Sequence, residues 1–168
     1  MSTDIEIRAV VAGDMPALNE VWSQPRVIWG TLQLPHRSIE MHIKRHEATP
    51  QDQDHVHLCA VIDGKAIGSA GMRCVSAQRR RAHAANIGMC VHDTYAGRGA
   101  GTALLAALLD MADNWLAYTR VDLTVWADNP RAIGLYERAG FEREGLLRRY
   151  AFRDGEYVDA ITMARLRA

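Results

Sequence analysis

The sequence predicts an α/β fold, a mixed sheet of about seven strands covered by helices. Three observations carry this. Strand-like and helix-like segments alternate along the chain in the order β-α-α-β-β-β-α-β-α-β-β. Two Asp-Gly dipeptides, Asp63-Gly64 and Asp154-Gly155, each separate two strand-like runs, the signal of a tight hairpin between antiparallel neighbours. Helical stretches also stand between later strands, as crossover connections require.

The elements follow in order. Ile5 to Val10 alternates apolar and polar residues, as a half-buried strand does. Asp14-Met15-Pro16 reads as a helix start with an acidic cap and an early proline, and Leu18, Val21 and Trp22 share one face of that helix. Trp29 to His36 has no period and two prolines nearby, Pro25 and Pro35, so a loop is expected. Ser38 to about His46 reads as a short helix. Val56 to Ile62, Ala66 to Val75 and Ala84 to Val91 read as three strands, the last two joined by a basic turn. Thr102 to Leu116 is a long helix of strong helix formers, apolar almost all round, and is expected in a groove of the sheet. Val121 to Trp126 is a strand. Asn129-Pro130 opens a helix with a capping side chain and a proline whose missing amide costs nothing there, and Gly140 ends it. Phe141 to Phe152 and Glu156 to Arg165 close the sheet as a hairpin.

Composition sets limits. The chain has 168 residues, the length of a single domain spanning 1–168, and 48% hydrophobic with 24% charged residues is ordinary globular usage. Twenty basic residues balance twenty acidic ones, which argues against non-specific binding to nucleic acid or to an anionic membrane. No apolar run approaches the ~20 residues of a membrane-spanning helix, and the acidic start Met1 to Glu6 does not resemble a signal peptide. Cys59, Cys74 and Cys90 lie in strand-like stretches and cannot all pair. Buried, reduced thiols in a cytoplasmic protein are expected.

The most informative segment is the connection from Val91 to Thr102, which carries Gly97, Gly99 and Gly101 at alternate positions between a strand and the long helix. Glycines let backbone amides crowd a ligand, and a helix start offers unpaired N–H groups with partial positive charge. Together they suit a pyrophosphate. The P-loop pattern is excluded because it requires Gly-Lys-Ser/Thr and this segment has no lysine. The dinucleotide pattern G-x-G-x-x-G fails as well, because its third glycine would fall on Thr102 or Leu104. A glycine-rich connection that binds nothing stands as the alternative on the turn alone.

Two motifs together resemble a family. The turn Arg98-Gly99-Ala100-Gly101-Thr102-Ala103-Leu104-Leu105 is similar to the pyrophosphate loop of the GNAT N-acetyltransferases. Asn129 to Phe141 matches that family's N-x-x-A-x-x-x-Y-x-x-x-G-F. The motifs stand in the family's order, and the order of elements agrees over almost the whole chain. The resemblance implies a mostly antiparallel GNAT-like sheet flanked by four helices, with acetyl-CoA as co-substrate and no metal. Carried over residue by residue, it puts the pyrophosphate on Ala96, Gly97, Arg98, Gly99, Ala100, Gly101 and Thr102. It puts the pantetheine arm against Met89, Cys90, Val91 and Asn129, and makes Tyr136 the acid that protonates the leaving thiolate. Ala96 departs from the Gln or Arg that usually opens the turn. Three further stretches, Thr31 to His36, Asp113 to Leu116 and Gly155 to Ala160, resemble bacterial members of the family that acetylate free L-amino acids such as Met or Phe.

Acetyl transfer from a thioester to an amine requires holding the cofactor, polarising the carbonyl, deprotonating the amine and protonating the thiolate. A backbone amide of the strand before the turn suits the second task. The base is the step without an evident residue. Many relatives carry a Glu on the fourth strand, whereas Ala84-Ala85-Asn86-Ile87 has none, so a water chain through Asn86 or His83 is expected. A peptide α-amine of pKa ~8 is about 10% neutral at pH 7 and a lysine-type amine about 0.04%, so an α-amine needs the less powerful base. Trp29, Leu32, His36 and Asn86 are the candidate acceptor-binding residues. Arg73, Arg148 and Arg149 are each available for an acceptor carboxylate. His42, His46, His55 and His57 lack the spacing of a metal site, and Arg79-Arg80-Arg81 reads as a solvated hairpin tip. The resulting expectation is an acetyl-CoA-dependent enzyme acting on a small-molecule amine, with a second copy of the chain as partner. The competing readings are a non-catalytic acyl-CoA sensor and an acetyltransferase for a protein, polyamine or antibiotic amine.

Overall fold

The computed structural model describes residues 4–49 and 55–168. Met1 to Thr3, part of the acidic start, lie outside the described residues. The described strands form a seven-stranded sheet of mostly antiparallel neighbours in the order β1-β2-β3-β4-β5-β7-β6: β1 Glu6–Ala9, β2 His55–Ile62, β3 Lys65–Cys74, β4 Ala84–Val91, β5 Arg120–Trp126, β6 Glu142–Arg153 and β7 Glu156–Leu166. The β4–β5 pair is parallel, with Asn86 opposite Asp122 at the end of its register. The helices are α1 Met15–Trp22, α2 Pro25–Gly30, α3 Ile39–Ala48, α4 Ala100–Asp110 and α5 Pro130–Arg138. The chain divides into two compact units, one of residues up to Arg73 with Gly88–Met111, the other of Cys74–Ile87 with Ala112–Ala168.

In the first unit, α1 buries Leu18 and Val21 completely, and Leu18 joins Cys59, Val61 and Ala66 in a core flanked by Val10, Ala17 and Trp22. The β2–β3 hairpin turns on Asp63 and Gly64, whose φ angles of 49° and 77° are both left-handed, as a two-residue type I′ turn demands. The acid expected to cap α1 does different work. The α1 start is preceded by a short 3-10 turn, Ala12–Asp14, and the Asp14 side chain makes no cap bond to α1. Asp14 instead accepts two bonds of 2.8 Å from the Arg8 guanidinium and one of 2.9 Å from Val11 N. A buried carboxylate needs such partners, and they hold Asp14 below the usual carboxylate range, the Arg8 bond first. Cys59 lies beside this pair, and burial pushes its thiol up to about 11.

Two expectations about helices are corrected. Part of the expected loop is helical: α2 starts at Pro25, buries Val27 and includes Trp29, so a fifth helix joins the expected four. The long helix starts at Ala100 rather than Thr102, is α-helical to Asp110, and widens into a π turn over Met111–Trp115. It buries one face only, Ala100, Leu104, Leu105 and Leu108, with small Thr102 and Ala106 on the exposed side. Small residues make a helix look apolar all round although only one stripe is covered.

In the second unit, β5 buries Val121, Leu123 and Val125 and turns Arg120, Asp122 and Thr124 to its less covered face. The final hairpin turns on Asp154 and Gly155, with φ of 50° and 85°. β6 is bulged between Leu147 and Ala151, where Arg149 takes φ 50° and its amide donates to Asp159 Oδ1 at 2.7 Å. Of the thiols, Cys59 is buried while Cys74 and Cys90 are only half-buried.

Candidate functional site

The first unit holds the glycine turn and the end of β4. The β3 strand seats that end closely: a Cβ on Gly68 would stand 2.9 Å from Cys90 O and 3.2 Å from Val91 Cγ2. His92 N donates to Ile67 O at 2.8 Å, which fixes the exit of β4. Ser69, itself buried, accepts from Trp22 Nε1 at 3.4 Å and lies 3.8 Å from Cys90 Sγ. Burial pushes the Cys90 thiol up, so it stays protonated and is no nucleophile. Met89, Cys90 and Val91 are all half-buried.

Past His92 the chain makes a 3-10 turn, Asp93–Tyr95, held by Asp93 Oδ2, which accepts Arg26 N at 3.1 Å. Gly97 and Gly99 then take φ of 86° and 95°, which a side chain would strain. The first α4 bond runs from Ala103 N to Gly99 O at 2.9 Å, so the helix uses none of the Ala100, Gly101 and Thr102 amides. Two of the expected phosphate-binding residues have their amides committed locally, Ala96 N to Asp93 O and Arg98 N to Tyr95 O. Arg98 can act only through its exposed guanidinium, which sits 5.5 Å from the Tyr95 ring centre. The amides of residues 99–102, a helix start and one arginine thus lie together, a set of donors that could suit a pyrophosphate.

The expected acceptor loop is not gathered by packing. Leu32 and His36 are exposed and Trp29, on α2, is half-buried. The histidines do not form a ligand set. His42 is buried with its ring 4.8 Å from Trp22, and His46 and His57 rings lie 6.1 Å apart. Burial, with His46 and His55 nearby, lowers His57 to about 4. Among the described residues no group of three or more His, Cys, Asp or Glu could hold a metal ion.

The second unit holds Asn129, Tyr136 and Asn86. Asn129 Oδ1 accepts Ala132 N at 3.2 Å, a working helix cap. Tyr136 is buried, its ring edge-on to Phe141 at 5.7 Å, and Phe141 N returns to Tyr136 O at 3.0 Å over Gly140, whose φ is 89°. Asn86 Nδ2 donates to Asp122 Oδ1 at 2.8 Å and to Asp122 O at 3.2 Å. Asp122 is a residue that the sequence reading missed. Its signal was present as a lone acid inside the apolar strand Val121-Asp122-Leu123. Arg148 and Arg149 are exposed on the β6 bulge, and the Arg149 guanidinium sits 4.3 Å from the centre of the Tyr157 ring.

Comparison with known proteins adds to this geometry. The profile of the Acetyltransferase (GNAT) family matches residues 17–141. The chain is 40% identical over 165 residues to the L-amino acid N-acetyltransferase AaaT of Escherichia coli, covering 98% of this chain and 99% of that one. Its fold is that of a spermidine N-acetyltransferase from Vibrio cholerae solved with CoA and spermine, with a TM-score of 0.85 at 22% identity over 96% of this chain and 95% of that one. It also matches a phosphinothricin acetyltransferase from Sinorhizobium meliloti solved with acetyl-CoA, with a TM-score of 0.84 at 20% identity over 96% and 88% of the two chains. No helix among the described residues is long and apolar enough to cross a membrane.

Proposed function

The chain belongs to the GNAT acetyltransferase family and is an acetyl-CoA-dependent N-acetyltransferase, and from that premise we propose that it acetylates the α-amine of free, apolar L-amino acids of the Met or Phe kind. The observation that carries the acceptor is the 40% identity, end to end, with an L-amino acid N-acetyltransferase. The whole of residues 1–168 acts as one N-acetyltransferase domain. It works in the cytoplasm and as a homodimer, for which the outer strand β6 supplies exposed apolar residues, Leu146 and Phe152.

Each residue then has a task. The amides of Gly97, Gly99, Ala100, Gly101 and Thr102, with the Arg98 guanidinium, hold the pyrophosphate, and Ala96 shapes the turn. The backbone of Met89, Cys90 and Val91 pairs with the pantetheine arm and stabilises the oxyanion that develops on the thioester. Asn129 adds a polar contact to that arm while it caps α5. Acetyl-CoA supplies the acetyl group as an activated thioester. Tyr136 gives its phenolic proton to the departing thiolate; a phenol of pKa ~10 against a thiol of ~8.5 makes this uphill by about 2 kcal/mol unless the site assists. Trp29, Leu32 and His36 meet the acceptor side chain, and Asn86 meets its amine. Burial of an apolar side chain at about 25 cal/mol per Å² and the easy deprotonation of an α-amine both favour this acceptor class.

The experiment is a screen of thiol release with acetyl-CoA and purified protein over L-amino acids, spermidine, aminoglycosides and N-terminal peptides. The highest kcat/KM is expected for apolar L-amino acids. A clear preference for spermidine, an aminoglycoside or a peptide refutes the acceptor and leaves the family intact.

A further inference from the structure

Resting on the reading just given, we propose that Asp122 on β5 is the base that takes the proton of the acceptor amine, with Asn86 on β4 orienting that amine. The β4 strand, Ala84 to Val91, has no carboxylate of its own. Its parallel register with β5 supplies one. Asn86 lies directly opposite Asp122 at the end of the paired stretch. Both side chains are half-buried on the less covered face, where Thr124 follows Asp122.

The hydrogen bonds give the two residues distinct roles. Asn86 spends its amide group on Asp122, once on Oδ1 and once on the main-chain oxygen. With its amide group on Asp122, the acceptor group that Asn86 has for an ammonium or amine N–H is its side-chain carbonyl oxygen. Asp122 is held by a cation only loosely. Arg120 Nε reaches Asp122 Oδ2 only at 3.5 Å, and Arg120 already makes a two-pronged pair with Glu144 on β6. Opposite Asp122 on β7 stands Ala164, and the neighbouring Arg165 is bound to Asp113 by two bonds of 2.8 Å. Other acids of this unit are tied more firmly, Asp113 to Arg165 and Asp128 to Arg153. Those pairs are two-pronged and short, whereas Asp122 has one bond from Asn86 on Oδ1 and one long ion pair on Oδ2, which leaves lone pairs on Oδ2 for a proton.

The protons balance. The acceptor ammonium passes one proton to the Asp122 carboxylate, which returns it to solvent. The freed amine forms the C–N bond and the C–S bond breaks. Tyr136 protonates the sulfur, and the second nitrogen proton, lost as the amide forms, restores the phenol.

The test uses the full-length protein and an apolar L-amino acid, with kcat/KM measured from pH 6.5 to 9.5. Asp122→Asn keeps the shape and the Asn86 contact. It is expected to lower kcat/KM by on the order of 10²-fold at pH 7. The deficit is expected to narrow steadily towards pH 9.5, where most of a free amino acid's α-amine, of pKa about 9, is neutral without a base. A swapped variant, Asn86→Asp with Asp122→Asn, moves the carboxylate one strand over and is expected to regain about 10-fold over Asp122→Asn alone. Calorimetric acetyl-CoA affinity should be the same in all three proteins, which separates failure of this inference from failure of the cofactor reading. If the wild-type enzyme prefers another amine, the series is run on that amine, so the acceptor reading can fail by itself. An unchanged rate in Asp122→Asn, or a deficit constant across the pH range with no recovery in the swapped variant, overturns the proposal.

Discussion

Gly68→Ala tests how the end of β4 is held. The added Cβ would stand 2.9 Å from Cys90 O and 3.3 Å from Val91 Cα, both backbone atoms that cannot rotate away. Restoring ordinary contact requires β3 and β4 to part by about 0.5 Å, and overpacking of this kind costs ~1–3 kcal/mol. Replacing a strand glycine by alanine returns ~0.5–1 kcal/mol of backbone entropy. The net loss is up to about 2.5 kcal/mol, or up to about 10 °C in Tm for a chain of this size. Gly71, on the same strand, is the control. Its Cβ would meet only Val56 O at 3.7 Å, so Gly71→Ala is expected to leave Tm equal or higher.

The shift also reaches the cofactor. A hydrogen bond lengthened by about 0.5 Å is largely lost, and one such bond is worth ~0.5–1.5 kcal/mol, so the Kd for acetyl-CoA should rise about 2- to 13-fold in Gly68→Ala. Scanning calorimetry and titration calorimetry on the wild type and the two variants read both effects. If Gly68→Ala is as stable as Gly71→Ala and binds acetyl-CoA as the wild type does, the close seating of β4 on β3 does not position the cofactor strand.

Three further outcomes are expected. Gly101→Val places a branched side chain among the amides at the start of α4. Acetyl-CoA affinity by calorimetry should collapse while the circular dichroism spectrum is kept, and unchanged affinity would make the turn a mere connection. Tyr136→Phe should lower kcat by on the order of 10²-fold with acetyl-CoA affinity nearly unchanged, and steady-state kinetics that show kcat unmoved remove Tyr136 from the mechanism. The third concerns acid. His57 titrates near 4 in the folded chain and near ~6.5 unfolded, so between these values the unfolded state binds more protons and stability falls as pH drops. His57→Gln should flatten the fall in Tm between pH 6.5 and 4, and a parallel fall in wild type and variant would count against burial of a neutral imidazole.

Much of the fold was legible because its signals are local. Asp63-Gly64 and Asp154-Gly155 announce hairpins through the φ angles that only such residues adopt readily, and Asn129 announces α5 through a bond to a residue three positions on. What the sequence concealed depends on register. Asp14 looks like a cap until Arg8, across the start of the chain, claims its carboxylate. Asn86 and Asp122 are 36 residues apart and meet only because a parallel ladder aligns them. The same holds for Trp22 and Ser69, which are 47 residues apart. The β6 bulge, where Asp159 takes the Arg149 amide, likewise arises from pairing rather than from any turn residue.

The division between legible and hidden features follows the chemistry of the two substrates. Main-chain N–H groups suit a pyrophosphate, and a sequence records such a site as missing side chains, which on the proposed reading are Gly97, Gly99 and Gly101. The fold itself is shared with chains of 20–22% identity. The Ala96 amide closes the 3-10 turn at Asp93 O, a bond that does not depend on which side chain stands at 96. An acceptor amine must be recognised and deprotonated by side chains, and these come from whichever strands the register brings alongside. A carboxylate can therefore move from one strand to its neighbour with the chemistry kept, as Asp122 opposite Asn86 would allow. On this account the cofactor turn is a good guide to the reaction and a poor one to the amine, and the acceptor is better sought among β4, β5 and their cross-strand partners than in any contiguous motif.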